Sequence, residues 1–311
     1  MIATRSIPLS ALELSAAMRA AQPYDASRLD RVLRVDPRGD LIEVQAATRW
    51  KEVADRLRPG DPQAETLGTS MSTVGESLSC NAAGPDGRAA VSHVESMALV
   101  MPNGDLVRAS RARQGELFQL VAGGHGLFAA IYSLTLHIGS LTRALKEAAR
   151  AEVVAAPVPG TAWRPLKLLL PPAELETFLA DARALCGEWR MPLVGVRVRR
   201  TREEPDTFLR WARREYAAVT LGLAEPPVLG VAVRAAQLRR ALLDAAIARG
   251  GSFPVYCTPE ATREQAEACY PQLPRFLAEK KRVDPAERLV NPWYRHFRRL
   301  FGRKCEVRWA R

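Results

Sequence analysis

Gly68-Thr69-Ser70-Met71-Ser72-Thr73-Val74-Gly75-Glu76-Ser77-Leu78-Ser79-Cys80-Asn81-Ala82-Ala83-Gly84 is the stretch whose reading decides this chain. It packs glycines, hydroxyls and one amide between segments that read as strands. Glycine lets backbone approach a ligand closely, and consecutive amide N–H groups form a concavity suited to anionic oxygens. Serine and threonine add donors at little volume. This chemistry suits a pyrophosphate; a polar surface loop is the other reading of the same composition.

A second glycine cluster follows about forty residues on, in Glu116-Leu117-Phe118-Gln119-Leu120-Val121-Ala122-Gly123-Gly124-His125-Gly126-Leu127-Phe128-Ala129-Ala130-Ile131-Tyr132-Ser133-Leu134. A short helix runs into the glycines and an alternating strand leaves them. Between the clusters, residues 94–100 and 105–109 read as a hairpin around Pro102-Asn103-Gly104, a strong turn signal.

These residues carry a resemblance. Thr73-Val74-Gly75, Asn81, Gly84, His93-Val94-Glu95-Ser96-Met97, Pro102-Asn103-Gly104-Asp105, Glu116-Leu117-Phe118 and Gly123-Gly124-His125-Gly126 occur in an order that resembles the FAD-binding (PCMH-type) domain of the vanillyl-alcohol oxidase superfamily. The branch it is most similar to holds decaprenylphosphoryl-ribose oxidase and related FAD-linked oxidases. The likeness covers about residues 28–140 and resumes at Phe276–Pro285 and Asn291.

The resemblance implies an α+β fold: a PCMH-type FAD-binding domain plus an antiparallel-sheet cap domain. It implies FAD held non-covalently by Gly68, Thr69, Thr73, Val74, Gly75, Ser77, Asn81, Gly84, Gly126, Ala130 and Ile131. A small alcohol or sugar-like substrate would pass a hydride to the flavin, since no amino-acid side chain accepts one. Tyr256 is the first candidate for the base, ahead of His93 and Tyr294; His93 also reads as a packed histidine. Cys257, on the opposite face of a regular strand, reads as core.

The chain also departs from the family. Helix residues ending near Gln22 run almost directly into Pro23-Tyr24-Asp25, so the family's second strand and its Arg-Gly-x-Gly-type phosphate loop are missing and the first subdomain is abbreviated. Glu76 stands where the family has a second glycine, Ala83 replaces a histidine, and Ala129 replaces a glycine. A flavin-free relative acting as a binding or scaffold protein is therefore the alternative reading.

The 311 residues suffice for two domains with a core in each. The expected boundaries are 1–140 for the FAD-type domain, 141–275 for the cap, and 276–311 for a closing helix and tail that return to the first domain. The cap pattern alternates strands (167–170, 193–198, 217–223, 253–256) with helices (173–189, 235–248, 262–273). In the first domain, residues 8–21 read as a helix with Ser10 as N-cap, 25–34 as a polar turn, 41–45 as a strand and 49–57 as a helix.

No apolar run reaches membrane-span length and no basic-then-apolar start precedes residue 20, so a cytoplasmic protein is expected. Five scattered cysteines and four histidines lack disulfide or metal spacing. The net charge is +11, carried almost wholly by arginine, and pairs such as Arg199-Arg200 and Arg213-Arg214 read as solvated helical faces. No nucleic-acid motif or aromatic stacking platform accompanies that charge, so a small-molecule partner is expected. The sequence carries no signal for oligomeric state.

Overall fold

The computed structural model describes residues 5–58, 73–84, 86–148, 163–225, 230–255 and 261–302. Helix α1 (Ala11–Arg19) starts where Ser10 Oγ accepts from the Glu13 amide, and it is followed within seven residues by a 3-10 turn at Ala26–Arg28. The abbreviated first subdomain is therefore literal: only residues 20–25 separate the two.

One sheet organises the first domain. Strands β1 (Val32–Asp36), β2 (Leu41–Gln45), β3 (Val94–Val100), β4 (Leu106–Ser110) and β5 (Ala130–His137) order as β1-β2-β5-β3-β4, every pair antiparallel. Alternation buries Ile42, Val44, Met97, Leu99, Leu134 and Leu136, while Glu43 and Arg108 stay at the other face. Helices α2 (Trp50–Leu57), α3 (Val74–Ser79), α4 (Gly115–Val121) and α5 (Ile138–Ala148) complete it. Two elements differ from expectation. The expected polar turn at 25–34 contains the start of β1, whose low burial gave no apolar stripe to read, and the expected boundary between 140 and 141 falls inside helix α5.

The second sheet is β6 (Trp163–Leu170), β8 (Tyr216–Ala224) and β7 (Leu193–Thr201), in that spatial order and antiparallel throughout. One face buries Leu166, Leu168, Leu170, Val219 and Leu221 against α6 (Leu175–Glu188) and α7 (Val231–Ala248). Each such leucine contributes about 2 kcal/mol by leaving water. Residues 253–255 lie next to β6 through the Leu169↔Ser252 bridge alone, without forming a strand of their own. The expected single helix at 262–273 is α8 (Arg263–Cys269), capped by Thr262, followed after Tyr270 by α9 (Leu273–Val283).

Polar clamps join the two sheets' domains. Arg111 makes a two-pronged contact with Asp206 (2.9 and 2.8 Å), Phe208 N donates to the Gln119 carbonyl, and Arg202 N donates to that of Gly87. The chain end then returns. Lys280 and Asp284 form a fully buried ion pair, and Asp284 also accepts from the amides of Arg288 and Leu289. Arg288 reaches the carbonyls of Met18 (3.1 Å) and Pro102 (3.0 Å), and Leu289 packs with Leu14, Met18, Leu29 and Val100. Helix α10 (Pro292–Gly302) follows, with Trp293 and Phe297 packed on the core.

Candidate functional site

The segment 73–84 lines two cavities, one near each end. Its first half borders a crevice of about 500 Å³ in the first domain, shared with Ala26, Ala46, Ala47, Gly126, Ala129, Ala130 and Ile131. Its second half, through Ala82, Ala83 and Gly84, borders a cleft of about 290 Å³ under the second sheet. Of the predicted binding residues, Thr73, Gly75, Gly126, Ala130 and Ile131 thus meet in the crevice, and Gly84 faces the cleft.

Three others point inward. Val74 is core. Ser77 Oγ accepts from the Trp50 indole (2.8 Å) and donates to the Thr73 carbonyl (3.0 Å). Asn81 is buried, donating to Glu204 (3.0 Å) and accepting from Val91 N (3.2 Å), while its carbonyl takes the Trp211 indole N–H (2.8 Å). Glu204 also accepts from the Asp206 and Thr207 amides and the Thr207 hydroxyl, and burial nonetheless pushes its carboxyl up. Asn81 is thereby the latch between the β7–β8 loop and the first domain. Gly68, Thr69 and Tyr256 lie outside the described residues.

The expected amide nest is a helix instead. Thr73 N-caps α3 in a reciprocal box: Thr73 Oγ1 accepts from Glu76 N (3.2 Å) and Glu76 Oε2 accepts from Thr73 N (3.3 Å). Glu76, in the family's glycine position, is thus the cap partner. Val74 N donates to the Thr48 carbonyl, Gly75 N to Ala46 (2.8 Å) and Ser77 N to Thr73. Gly75 is demanded by packing, because a Cβ there would sit 2.7 Å from the Ala46 carbonyl oxygen.

The crevice-lining residues with unspent amides are elsewhere. Gly126 N and Ala129 N donate to nothing within the described residues, and Gly126, with φ +70°, has open space where a side chain would stand. The alanine and glycine walls leave room for a flat ring. The charged lining is Asp30, Glu52 and Glu76 against Arg49. These described residues fit the adenine of a dinucleotide and offer no anion cradle for its pyrophosphate.

The cleft has the opposite character. Its described lining holds Lys167, Arg197, Arg199 and Arg200, with Thr201, Thr220 and Trp211, and no carboxylate. Sequence reasoning put Arg199-Arg200 on a solvated helix; they end strand β7, and Arg213-Arg214 lie in the loop before β8. The available signal was the alternation Val196-Arg197-Val198-Arg199 at the strand period.

The other candidate bases lie away from both cavities. His93 is buried in a 3-10 turn, with Nδ1 2.7 Å from Ser140 Oγ and Nε2 3.7 Å from Asp86; burial lowers its pKa against the pull of Asp86. Tyr294 is buried and donates to Glu287 (2.7 Å). His125 stacks on Trp293 at 4.3 Å, its Nε2 buried without a partner among the described residues, and burial pushes its pKa down to about 4. Among the described residues no cluster of His, Cys, Asp and Glu could hold a metal, and no helix is long and apolar enough to cross a membrane.

Residues 11–110 match the family model described as the FAD binding domain. The chain therefore carries an FAD-binding domain of the PCMH type, the kind found in FAD-linked oxidoreductases, joined here to an antiparallel-sheet domain. No curated protein matches the chain significantly.

Proposed function

We propose that the protein is an FAD-linked oxidoreductase that binds its flavin non-covalently and oxidises a small alcohol or sugar-like substrate in the cleft. The observation that carries this reading is that residues 73–84 border both the crevice and the cleft, so that one extended ligand would be held by a single segment. Gly126 N, Ala129 N and the alanine walls would hold the adenine end, and the ring system would lie along Ala82–Gly84 in the cleft. None of the described lining residues is a histidine, cysteine or tyrosine that could attach a flavin covalently. When bound, the flavin supplies the hydride acceptor.

The chain's own part is positioning. The Arg111–Asp206 and Asn81–Glu204 clamps hold the second sheet over Ala82–Gly84, shielding the cleft from bulk water. Tyr256, two residues beyond the cleft-lining Pro254, is the proposed proton acceptor, and its replacement by Phe should lower kcat without releasing flavin. A cytoplasmic location belongs to the same proposal.

The experiment is an absorption spectrum of the purified protein, before and after incubation with FAD. Flavin bands in the near-ultraviolet and blue that survive gel filtration and are released by acid precipitation support the proposal. A colourless protein that stays colourless overturns it. The spent amides of 73–77 and the carboxylates of the crevice favour the second reading, a flavin-free binding protein built on the same fold, which predicts that result.

A further inference from the structure

The cap sheet has two unlike faces because strand residues alternate. The leucine face is packed on α6 and α7. The other face, turned to the first domain, carries Lys167 on β6, Ala218 and Thr220 on β8, and Arg197 and Arg199 on β7. Register aligns them: Lys167 pairs with Thr220, which pairs with Arg197, and Ala218 pairs with Arg199. The small central residues leave a hollow flanked by cations.

Several arginines elsewhere in this half of the chain have acidic partners, while others, Arg183 and Arg234 among them, have none among the described residues. Arg200 meets Glu215, Arg202 meets Glu147, Arg239 meets Glu225, and Arg249 meets Asp181. Arg197 and Arg199 have no ion pair or hydrogen bond among the described residues, although they repel each other and partial burial adds to that cost. Two like charges side by side in a cleft whose described lining holds no carboxylate are stabilised by a bound anion. Planar guanidinium forks match carboxylate and phosphate oxygens.

We infer that the cleft is a binding site for a small oxyanion, a carboxylate or a phosphate ester, held by Arg197 and Arg199 with Thr220 at its floor. Resting on the oxidoreductase reading, this makes the substrate an alcohol that carries an anionic group, a hydroxy acid or a phosphorylated alcohol. Arg197 and Arg199 are positioning residues that grip the anion away from the reacting carbon.

The test is calorimetric titration of the full chain at low ionic strength with glycerol phosphate and, separately, with glycolate, with and without added FAD. Saturable one-to-one binding of either probe is expected, and whichever binds identifies the source of the oxyanion. The Arg197→Gln, Arg199→Gln double variant should weaken it at least tenfold. An Arg183→Gln, Arg234→Gln control, on the helices behind the sheet, removes the same charge and should leave it within twofold. If the double variant does not fold, Arg199→Gln, whose side chain is exposed, should still weaken binding severalfold. No saturable binding of either probe, or equal loss in the control, overturns the inference. Binding without FAD in a protein that never takes up flavin would keep the anion site and remove the oxidoreductase reading.

Discussion

His125 makes stability depend on acidity in a way that can be calculated. Its ring stacks on Trp293, its Nε2 is buried without a partner among the described residues, and burial lowers its pKa to about 4 from an ordinary 6.5. A depressed folded-state pKa means that the neutral ring is favoured in the native protein. The stabilisation is therefore fully present above the unfolded value and is lost as pH falls from 6.5 towards 4. Linkage at 1.36 kcal/mol per unit makes the loss between pH 7 and pH 5 about 2 kcal/mol, rising to about 3 kcal/mol near pH 4. The assay is urea denaturation of the wild type and His125→Phe at several pH values. Phe keeps an aromatic ring against Trp293; any constant cost of its left-handed backbone cancels, because only the slope is compared. The variant should lose about 2 kcal/mol less than the wild type on going from pH 7 to pH 5. Parallel pH profiles would refute the burial of a neutral imidazole.

Other outcomes follow from the same contacts. Glu204→Ala leaves four donors, three of them buried, without an acceptor and should destabilise by on the order of 3 kcal/mol, read by denaturation, with Glu204→Gln costing less. Gly75→Ala forces α3 off the Ala46 carbonyl and should cost about 1–3 kcal/mol in melting experiments. Gly126→Ala meets no atom, so its stability cost should stay near 1 kcal/mol while FAD retention falls, by spectrum after gel filtration. Arg288→Ala cuts the ties to Met18 and Pro102 and should speed hydrogen exchange in residues 284–291 without touching that of β5.

Much of the first domain was legible because local signals and tertiary need coincided. The 94–110 hairpin announced itself through Asn103-Gly104 and alternating apolar residues, and the structure pairs Val100 with Leu106 around that turn. Ser10 was readable as a cap for the same reason, its hydroxyl acting within one helical turn. The glycine stretch shows where this ends. Its composition announces tight backbone, yet composition does not say what the backbone is tight against. For Gly75 that neighbour is Ala46, about thirty residues earlier, and for the amides beside it the acceptors are Thr48, Ala46 and Thr73 itself.

The sequence alone determined the class of fold, through the order of its turns, glycines and periodic segments, since these depend on residues close together along the chain. Only the tertiary structure decided what the site offers. It turned Asn81 from a presumed ligand donor into a latch on Glu204, and it turned Arg199 and Arg200 from assumed surface charge into the wall of a cleft. Both outcomes depend on which face of a strand or loop meets a partner more than a hundred residues away, and no local pattern encodes that meeting.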